Sequence, residues 1–356
     1  MKSAPFALAG FALAVTSVAH AQPTSNLTLY GIVDAYVEVA RGAATLTRTQ
    51  SGGQSGSRFG IKGQENLSGG LRALFTLESG INLDDGTNGQ NAFWGRQAFV
   101  GISAPYGTLT LGRQYGSVYS VATEFSAFSN VPVGPSTGVI GGFGAYEPVR
   151  GGTTTTATGN GGPARVNNSV KLESASFGGF KAGVLLGLGE SSGATTQTRV
   201  ADVYGRYTSG AIDAMLSIVD DRINDGLGVR TVSAGGAYAH DNWRAMAGVI
   251  SVNDRTDANA DGIGWWLGGD YRVRTNLFRA QFLVNKQKHD DGKTQAFGVG
   301  YQYDLSKRTN LYTAATRFRN EGTHYAARWS SSLPAGLTTA ADRNITQLAV
   351  GVRHMF

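Results

Sequence analysis

Residues 199–242 read RVADVYGRYTSGAIDAMLSIVDDRINDGLGVRTVSAGGAYAHDN. In this stretch Ala201, Val203, Gly205 and Tyr207 alternate with Asp202, Tyr204 and Arg206, the period of a strand with one apolar and one polar face. A tight connection at Thr208–Ala211 is followed by a longer polar one near 221–228 and another tight one at Ala239–Asn242. The same rhythm runs along the whole chain. Further tight connections are read at Leu67–Gly70, Ala104–Gly107, Ser176–Gly179, Arg272–Asn276 and Asp304–Thr309. Long ones fall near 41–55, 80–91, 116–164, 190–198, 221–228, 254–261, 289–293 and 320–341. Seven short and eight long connections join sixteen strands. Short turns at one end and long loops at the other are the pattern of an antiparallel barrel in an outer membrane.

Other segments carry the same alternation. Leu27, Leu29, Val33, Ala35, Val37 and Val39 share one face of the first strand, with Thr28, Tyr30, Asp34 and Glu38 on the other. In Leu277–Asn285, Phe278, Ala280, Phe282 and Val284 alternate with Arg279, Gln281 and Asn285, and the last strand sets Leu348, Val350, Val352 and Phe356 against Gln347, Gly351 and Arg353. A soluble sandwich would alternate in the same way, so strand length and aromatic placement carry the decision. The segments are of roughly the length that crosses a bilayer at a tilt, longer than the usual soluble strand. Tyr106, Phe177, Phe180, Tyr207, Tyr238, Trp243, Tyr271, Phe278, Tyr303 and Tyr312 bracket the short turns, as an interfacial girdle would. Only closure satisfies every backbone group in lipid, so the final strand is expected to pair with the first, beginning near Leu27.

Composition agrees. Lys2, the apolar run Phe6 to Val18 and Ala19-His20-Ala21 read as a cleaved export signal over residues 1–21, which leaves 22–356 as the mature barrel. The chain has no cysteine, which removes disulfides and thiolate chemistry. Charged residues make up 16% of the chain, below the roughly 25% of soluble domains. No mature segment reaches the length of a spanning apolar helix. The net charge is +6, and loss of Lys2 makes it +5. The basic residues are scattered, which argues against a nucleic-acid partner, and a positive balance inside a channel favours anions.

Several blocks in order resemble a known family. They include Leu29-Tyr30-Gly31, Ser57-Arg58-Phe59-Gly60-Ile61-Lys62-Gly63-Gln64-Glu65-Asn66-Leu67, Gly95-Arg96-Gln97-Ala98-Phe99-Val100-Gly101 and Gly107-Thr108-Leu109-Thr110-Leu111-Gly112-Arg113-Gln114. Asp304-Leu305-Ser306-Lys307-Arg308-Thr309 and the end, Val350-Gly351-Val352-Arg353-His354-Met355-Phe356, complete the set. The chain resembles the Gram-negative general porins, trimeric sixteen-stranded diffusion channels for ions and small hydrophilic solutes. The resemblance implies a homotrimer in outer-membrane lipid and lipopolysaccharide, with Phe356 read by the barrel-insertion machinery. It also implies that the long third extracellular loop, 116–164, folds into the lumen and narrows it. Glu124-Phe125-Ser126-Ala127-Phe128 is a partial match to the segment the family carries at that loop's tip.

A diffusion channel needs a wet lumen, a waist and a transverse field rather than a catalytic group or cofactor. Arg58 and Lys62 share the inward parity of the second strand, and Arg72 lies on the third. Arg96 and Arg165 match wall arginines of the family, and Glu124 and Glu147 are the acidic candidates on the loop. Strict alternation puts Arg96 with Trp94, Ala98, Val100 and Ile102 on the apolar face, where an arginine near the midplane costs about 2–4 kcal/mol. A bulge or twist is therefore expected to turn Arg96 inward. The expected selectivity is for anions.

Competing signals are weaker. Asp257-Ala258-Asn259-Ala260-Asp261-Gly262 imitates the start of a calcium loop, but Gly268 stands where a bidentate Glu belongs, so a polar turn is expected. A barrel enzyme would need a nucleophile, base and orienter together. His240, His289, His324 and His354 fall in no such constellation. A substrate-specific channel would show an aromatic ladder, and Tyr30, Tyr36, Tyr204 and Trp266 have inward parity but lie on distant strands.

Overall fold

The computed structural model describes residues 25–90, 92–129, 131–135, 164–188, 199–224, 227–255, 261–288, 292–321 and 344–356. The export signal read over 1–21 lies outside them. The strands are β1 (Ser25–Arg41), β2 (Thr45–Ser51), β3 (Arg58–Asn66), β4 (Arg72–Ile81), β5 (Asn88–Gly89), β6 (Gln97–Ala104) and β7 (Gly107–Tyr115). A helix, α1 (Ser117–Glu124), follows. Then come β8 (Arg165–Ser174), β9 (Phe180–Gly187), β10 (Arg199–Ser209), β11 (Ile212–Asn224), β12 (Leu227–His240) and β13 (Trp243–Asp254). The last are β14 (Gly262–Val273), β15 (Asn276–Gln287), β16 (Lys293–Asp304), β17 (Thr309–Glu321) and β18 (Asn344–Met355). β2 and β3 both pair with β1 and form one wall strand broken at 52–57. β5 is a two-residue return against the end of β4. The remainder is a closed, sixteen-stranded antiparallel barrel.

Closure takes place between β1 and β18, in register from Ile32↔Met355 to Arg41↔Thr346. The last rung is made by the terminal residue: Gly31 N donates to Phe356 O and Phe356 N donates to Gly31 O, each at 3.1 Å. The tip of the Phe356 ring occupies the side-chain space of Gly31, where a Cβ would stand 2.2 Å from its Cζ. Parity decides which face is outside. In β18, Leu348 is 52% and Val350 57% exposed, whereas Gln347 is 4% and Ala349 1% exposed. Val203, Leu216, Leu267, Val299 and Leu311 continue the same outer apolar surface on other strands.

All seven short connections fall where the sequence places them. Of the long ones, that expected at 80–91 runs on to 96, and two are shorter than expected. Thr45–Ser51, expected as loop, is strand, so the reversal after β1 occupies only 42–44. β11 runs to Asn224 and β12 begins at Leu227, which shortens the connection expected at 221–228. The cause is the same in both. Thr45, Thr47 and Thr49, or Asp220 and Arg222, are polar on the outer parity because the wall there has risen above the apolar band, not because the strand has ended.

The inner parity also differs from a simple polar lining. Val200, Val219, Val229, Ile250, Val252, Leu283, Phe318 and Ile345 point away from the outer surface, yet all are buried in one hydrophobic cluster with Val118, Val121 and Phe125. α1 and the residues after it are also fastened to wall side chains of this parity. Ser117 N donates to Asp202 Oδ2 at 2.7 Å, and Ser117 Oγ meets Ser217 Oγ at 2.6 Å. Trp266 Nε1 donates to Phe125 O at 2.6 Å. Ser126 Oγ and Ala127 N both donate to Gln281 Oε1 at 2.9 Å, and Gln347 Nε2 donates to Pro132 O at 3.1 Å. Gly235 makes room for the Phe125 ring, which would sit 2.5 Å from a Cβ there.

The Gly31 contact yields a test. Gly31→Val overpacks the seam at a cost of about 1–3 kcal/mol. The temperature at which the folded band converts to the unfolded band on a detergent gel is expected to fall. Combining it with Phe356→Ala is expected to recover part of that loss relative to Phe356→Ala alone. Strict additivity of the two changes would refute the contact.

Candidate functional site

The break in the outer alternation before β6 assembles the site. A turn closed by Gly95 N donating to Ala92 O at 3.1 Å precedes Arg96, whose own N–H donates to Glu78 O at 3.1 Å. This backbone path, a turn rather than a bulge inside the strand, sends the Arg96 side chain to the polar parity. There Arg96 Nε donates to Glu78 Oε1 at 2.8 Å, both side chains being 5% exposed. Arg58 Nη1 approaches the same carboxylate oxygen at 4.0 Å while Arg58 Nε donates to Gly56 O at 2.8 Å. Tyr30 Oη donates to Glu78 Oε2 at 3.0 Å and Tyr115 Oη to Oε1 at 3.1 Å. Gly56 backs both guanidiniums: a Cβ there would lie 3.1 Å from Arg96 Nη1 and 3.9 Å from Arg58 Nη2.

Arg165, the first residue of β8, completes the cluster and has no ion pair among the described residues. Its guanidinium lies 4.9 Å from the Tyr115 ring centre and 5.5 Å from that of Tyr119 on α1. These two rings stack at 4.3 Å and 10°, and Arg96 sits 5.9 Å from Tyr115. The rings hold the cations by cation–π attraction. Arg113 adjoins, with Nε donating to Gly95 O at 2.8 Å and Nη1 to Asn167. It is placed by a bulge between Gly112 and Gln114, where Gly112 has φ +132°. Arg96 and Arg58 thus meet at one carboxylate, and Arg165 joins them through the Tyr115 ring. Two of their buried nitrogens, Arg96 Nη2 and Arg165 Nε, have no acceptor.

The other candidates stand apart. Lys62 is four residues along β3 from Arg58, over the Tyr30 ring at 5.3 Å. Arg72 shares the parity of Glu78 but opens β4 at the short-turn end, about 20 Å away along the strand. Glu124, at the end of α1, is not opposite the arginine cluster. Its carboxylate takes Arg206 Nη1 at 2.7 Å and its carbonyl takes Arg244 Nη2 at 2.7 Å. Glu147 lies outside the described residues.

Glu124 belongs to a second set of charges, near the short-turn ends of β10 to β18, where cations and anions nearly balance. Arg206 also binds Asp213 at 2.5 Å, Arg272 binds Asp304 at 2.5 Å, and Arg279 lies 3.7 Å from Asp270. Near the short-turn ends of β8 and β9, Lys171 and Lys181 share Glu173 at 3.5 and 3.2 Å.

The sequence did not single out Glu78, Tyr115 or Tyr119. The available signal for Glu78 was its parity, which it shares with Arg72. Tyr36 and Trp266 are buried and Tyr30 is bound to Glu78, so the inward aromatics form no ladder along one wall. His240 lies in an exposed turn, 3.2 Å from Asp241 Oδ2, and His354 Nδ1 meets Thr309 Oγ1 at 2.9 Å. His289, His324 and most of the calcium-like loop lie outside the described residues.

Comparison with known proteins gives a consistent answer. The family model described as Gram-negative porin matches residues 6–323. Outer membrane porin protein 32 of Delftia acidovorans is 30% identical, with all of both chains covered. An outer membrane porin protein of Bordetella pertussis is 28% identical over 98% of this chain and 97% of its own. Among solved structures, an anion-selective porin from Comamonas acidovorans superposes with a TM-score of 0.75 at 25% identity, covering 93% of this chain and all of its own. The trimer form of OmpT from Vibrio cholerae, at 15% identity and a TM-score of 0.65, shares the fold over 93% of this chain and 99% of its own. A chain that closes sixteen antiparallel strands in an apolar outer surface and matches this model over most of its length belongs to the Gram-negative porins of the outer membrane.

Proposed function

We propose that this porin is a passive, anion-preferring channel whose waist lies between the Arg58–Arg96–Arg165 cluster and the segment 117–135. The observation that carries the reading is the excess of guanidinium over carboxylate around Glu78. An arginine stays charged at any relevant pH and sheds water more readily than a lysine ammonium, so a partly dehydrated anion finds ready donors there. Support for the narrowing comes from the bonds of 117–135 to Asp202, Trp266, Gln281 and Gln347, all of the parity opposite the outer surface. The name of the anion-selective relative agrees with the sign. Among the described residues of the loop, Glu124 does not face this cluster, because it is matched by Arg206.

Arg58→Gln together with Arg165→Gln is expected to reduce the anion-to-cation permeability ratio. Each charge within about 7 Å of the ion path in water contributes roughly two- to threefold. Reversal potentials across a salt gradient read this directly, and Glu124→Gln is expected to move them less than Arg58→Gln does. An unchanged potential in the double variant would remove the arginine cluster from the filter.

The narrowing is tested separately. Trp266→Phe with Gln281→Leu deletes hydrogen bonds to Phe125, Ser126, Ala127 and Pro135, each with a net value of about 1 kcal/mol. Single-channel current is expected to become larger and noisier, and an unaltered, quiet trace would place the waist elsewhere.

A homotrimer, export by residues 1–21 and reading of Phe356 by the insertion machinery complete the proposal. Outer aromatics attend the short-turn ends from Phe177 to Tyr303, whereas Leu27, Leu29, Leu67 and Leu71 take their place at β1, β3 and β4, a surface suited to another subunit. The mass of the protein in mild detergent should correspond to three chains, and one chain would refute the assembly.

A further inference from the structure

Between β2 and β3 the wall strand leaves the sheet at 52–57 and lies as a strap across the inner face of the closing seam. A Cβ on Gly53 would stand 2.3 Å from Tyr312 Oη and 2.6 Å from the Tyr36 ring. Ser55 Oγ accepts Arg353 Nη1 at 3.0 Å, and Gln54 Nε2 donates to Gln302 Oε1 at 2.6 Å. β1, β18, β17 and β16 follow one another round the wall, so Gln54 reaches the fourth strand from its own. The other end of the strap meets the arginine cluster. Gly56 O accepts Arg58 Nε at 2.8 Å, and Gly56 lies against Arg96 Nη1.

One wall residue holds this strap. Asp34 has the inward parity of Tyr30 and Tyr36, stands opposite Arg353 across the seam, and is wholly buried. Its Oδ2 accepts Gln54 N at 2.9 Å and Ser55 N at 2.7 Å, and its Oδ1 accepts Tyr312 Oη at 2.5 Å. Asp34 O accepts Gly52 N at 2.7 Å and Ser57 Oγ at 3.0 Å, and Asp34 N donates to Ser57 Oγ at 3.0 Å. Five of these six bonds go to residues 52–57. Bonds from an amide to a carboxylate are about twice as strong as neutral ones. Gly52, Gly53 and Gly56 give the strap little stiffness of its own, so its shape comes from Asp34.

We propose that Asp34 is a positioning residue of the waist. By fixing 52–57 it sets where Gly56 O holds the Arg58 guanidinium and how near Arg96 comes to the path of the solute. The charge of Asp34 and its geometry act in opposite directions on an anion: as a charge it repels, and as an anchor it presents the arginines that attract. The proposal rests on the reading of the waist given above and adds to it a residue that touches no solute.

The test separates charge from geometry. Asp34→Asn and Asp34→Ala remove the same charge, but only asparagine keeps an oxygen for the two strap amides. Reversal potentials across a salt gradient are read for the full barrel of each in planar bilayers. The anion-to-cation permeability ratio of Asp34→Ala is expected about twofold below that of Asp34→Asn, the change that follows when two guanidiniums draw back by about 3 Å in water. Equal ratios in the two variants would overturn the proposal, even if both unfold at a lower temperature than wild type, because a merely structural carboxylate would act on stability alone. If Asp34→Ala does not fold, Ser57→Ala decides in its place. It changes no charge and frees Asp34 N from the strap; a ratio below wild type is expected, and an unchanged ratio overturns the role. Arg58→Gln with Arg165→Gln, run in parallel, tells the two readings apart. An unchanged potential there removes the waist and this role with it, whereas a shifted potential there beside equal Asp34 variants removes the role of Asp34 alone.

Discussion

Hydrocarbon offers no partner to a peptide N–H or C=O, and everything else here follows from that constraint. A helix meets it within one segment; a sheet meets it only when its last edge finds its first. The chain finishes that task at its final residue, where Phe356 exchanges two backbone hydrogen bonds with Gly31. The glycine is needed because the ring occupies the space of a side chain. The short-turn end of the seam is therefore fixed by the last side chain of the sequence.

Closure leaves an interior that side chains must either fill or leave wet, and this barrel does both. Along β10 to β18, Val200, Val219, Val229, Ile250, Leu283 and Ile345, of the parity opposite the outer surface, are buried in one cluster with Val118 and Phe125, beside buried polar residues such as Asp221, Asn285 and Asn320. Along β3 to β9 the same parity carries Arg58, Lys62, Lys171 and Lys181 together with the acids Glu78 and Glu173. The asymmetry has an energetic logic. Arg58 and Arg96 repel one another across the carboxylate they share, so their neighbours must be held rigidly. The Tyr115–Tyr119 stack, anchored through α1 to Asp202 and Ser217, supplies that rigidity. The hydrophobic cluster thus positions the charged one.

Strand number, the positions of tight turns, closure and the outward face were legible because alternation and turn chemistry are local. Arg58 was legible from the inward parity of its strand, but Arg96 and Arg165 only through family resemblance, since the three lie on segments that touch because of register. Arg96 was misaligned by parity alone, as a turn at 92–95 is invisible to a period of two. Glu78 was missed because a lone acid on a strand gives no sign that Arg58 and Arg96 will meet it. Glu124 was correctly read as a loop acid and its partner wrongly expected, because which wall a helix end meets is a tertiary fact. The polar strand ends at Thr45–Ser51 and beyond Asp220 were taken for loop because hydropathy reports the lipid boundary, not the end of hydrogen bonding.

The anchors of segment 117–135 are wall residues: Asp202, Ser217, Trp266, Gln281 and Gln347. None of them belongs to the connections that follow β13, β15 or β17. Changes of length or charge in those connections leave these hydrogen bonds in place. A bacterium could then change the face that antibodies and phages meet and keep the same solute traffic across its envelope.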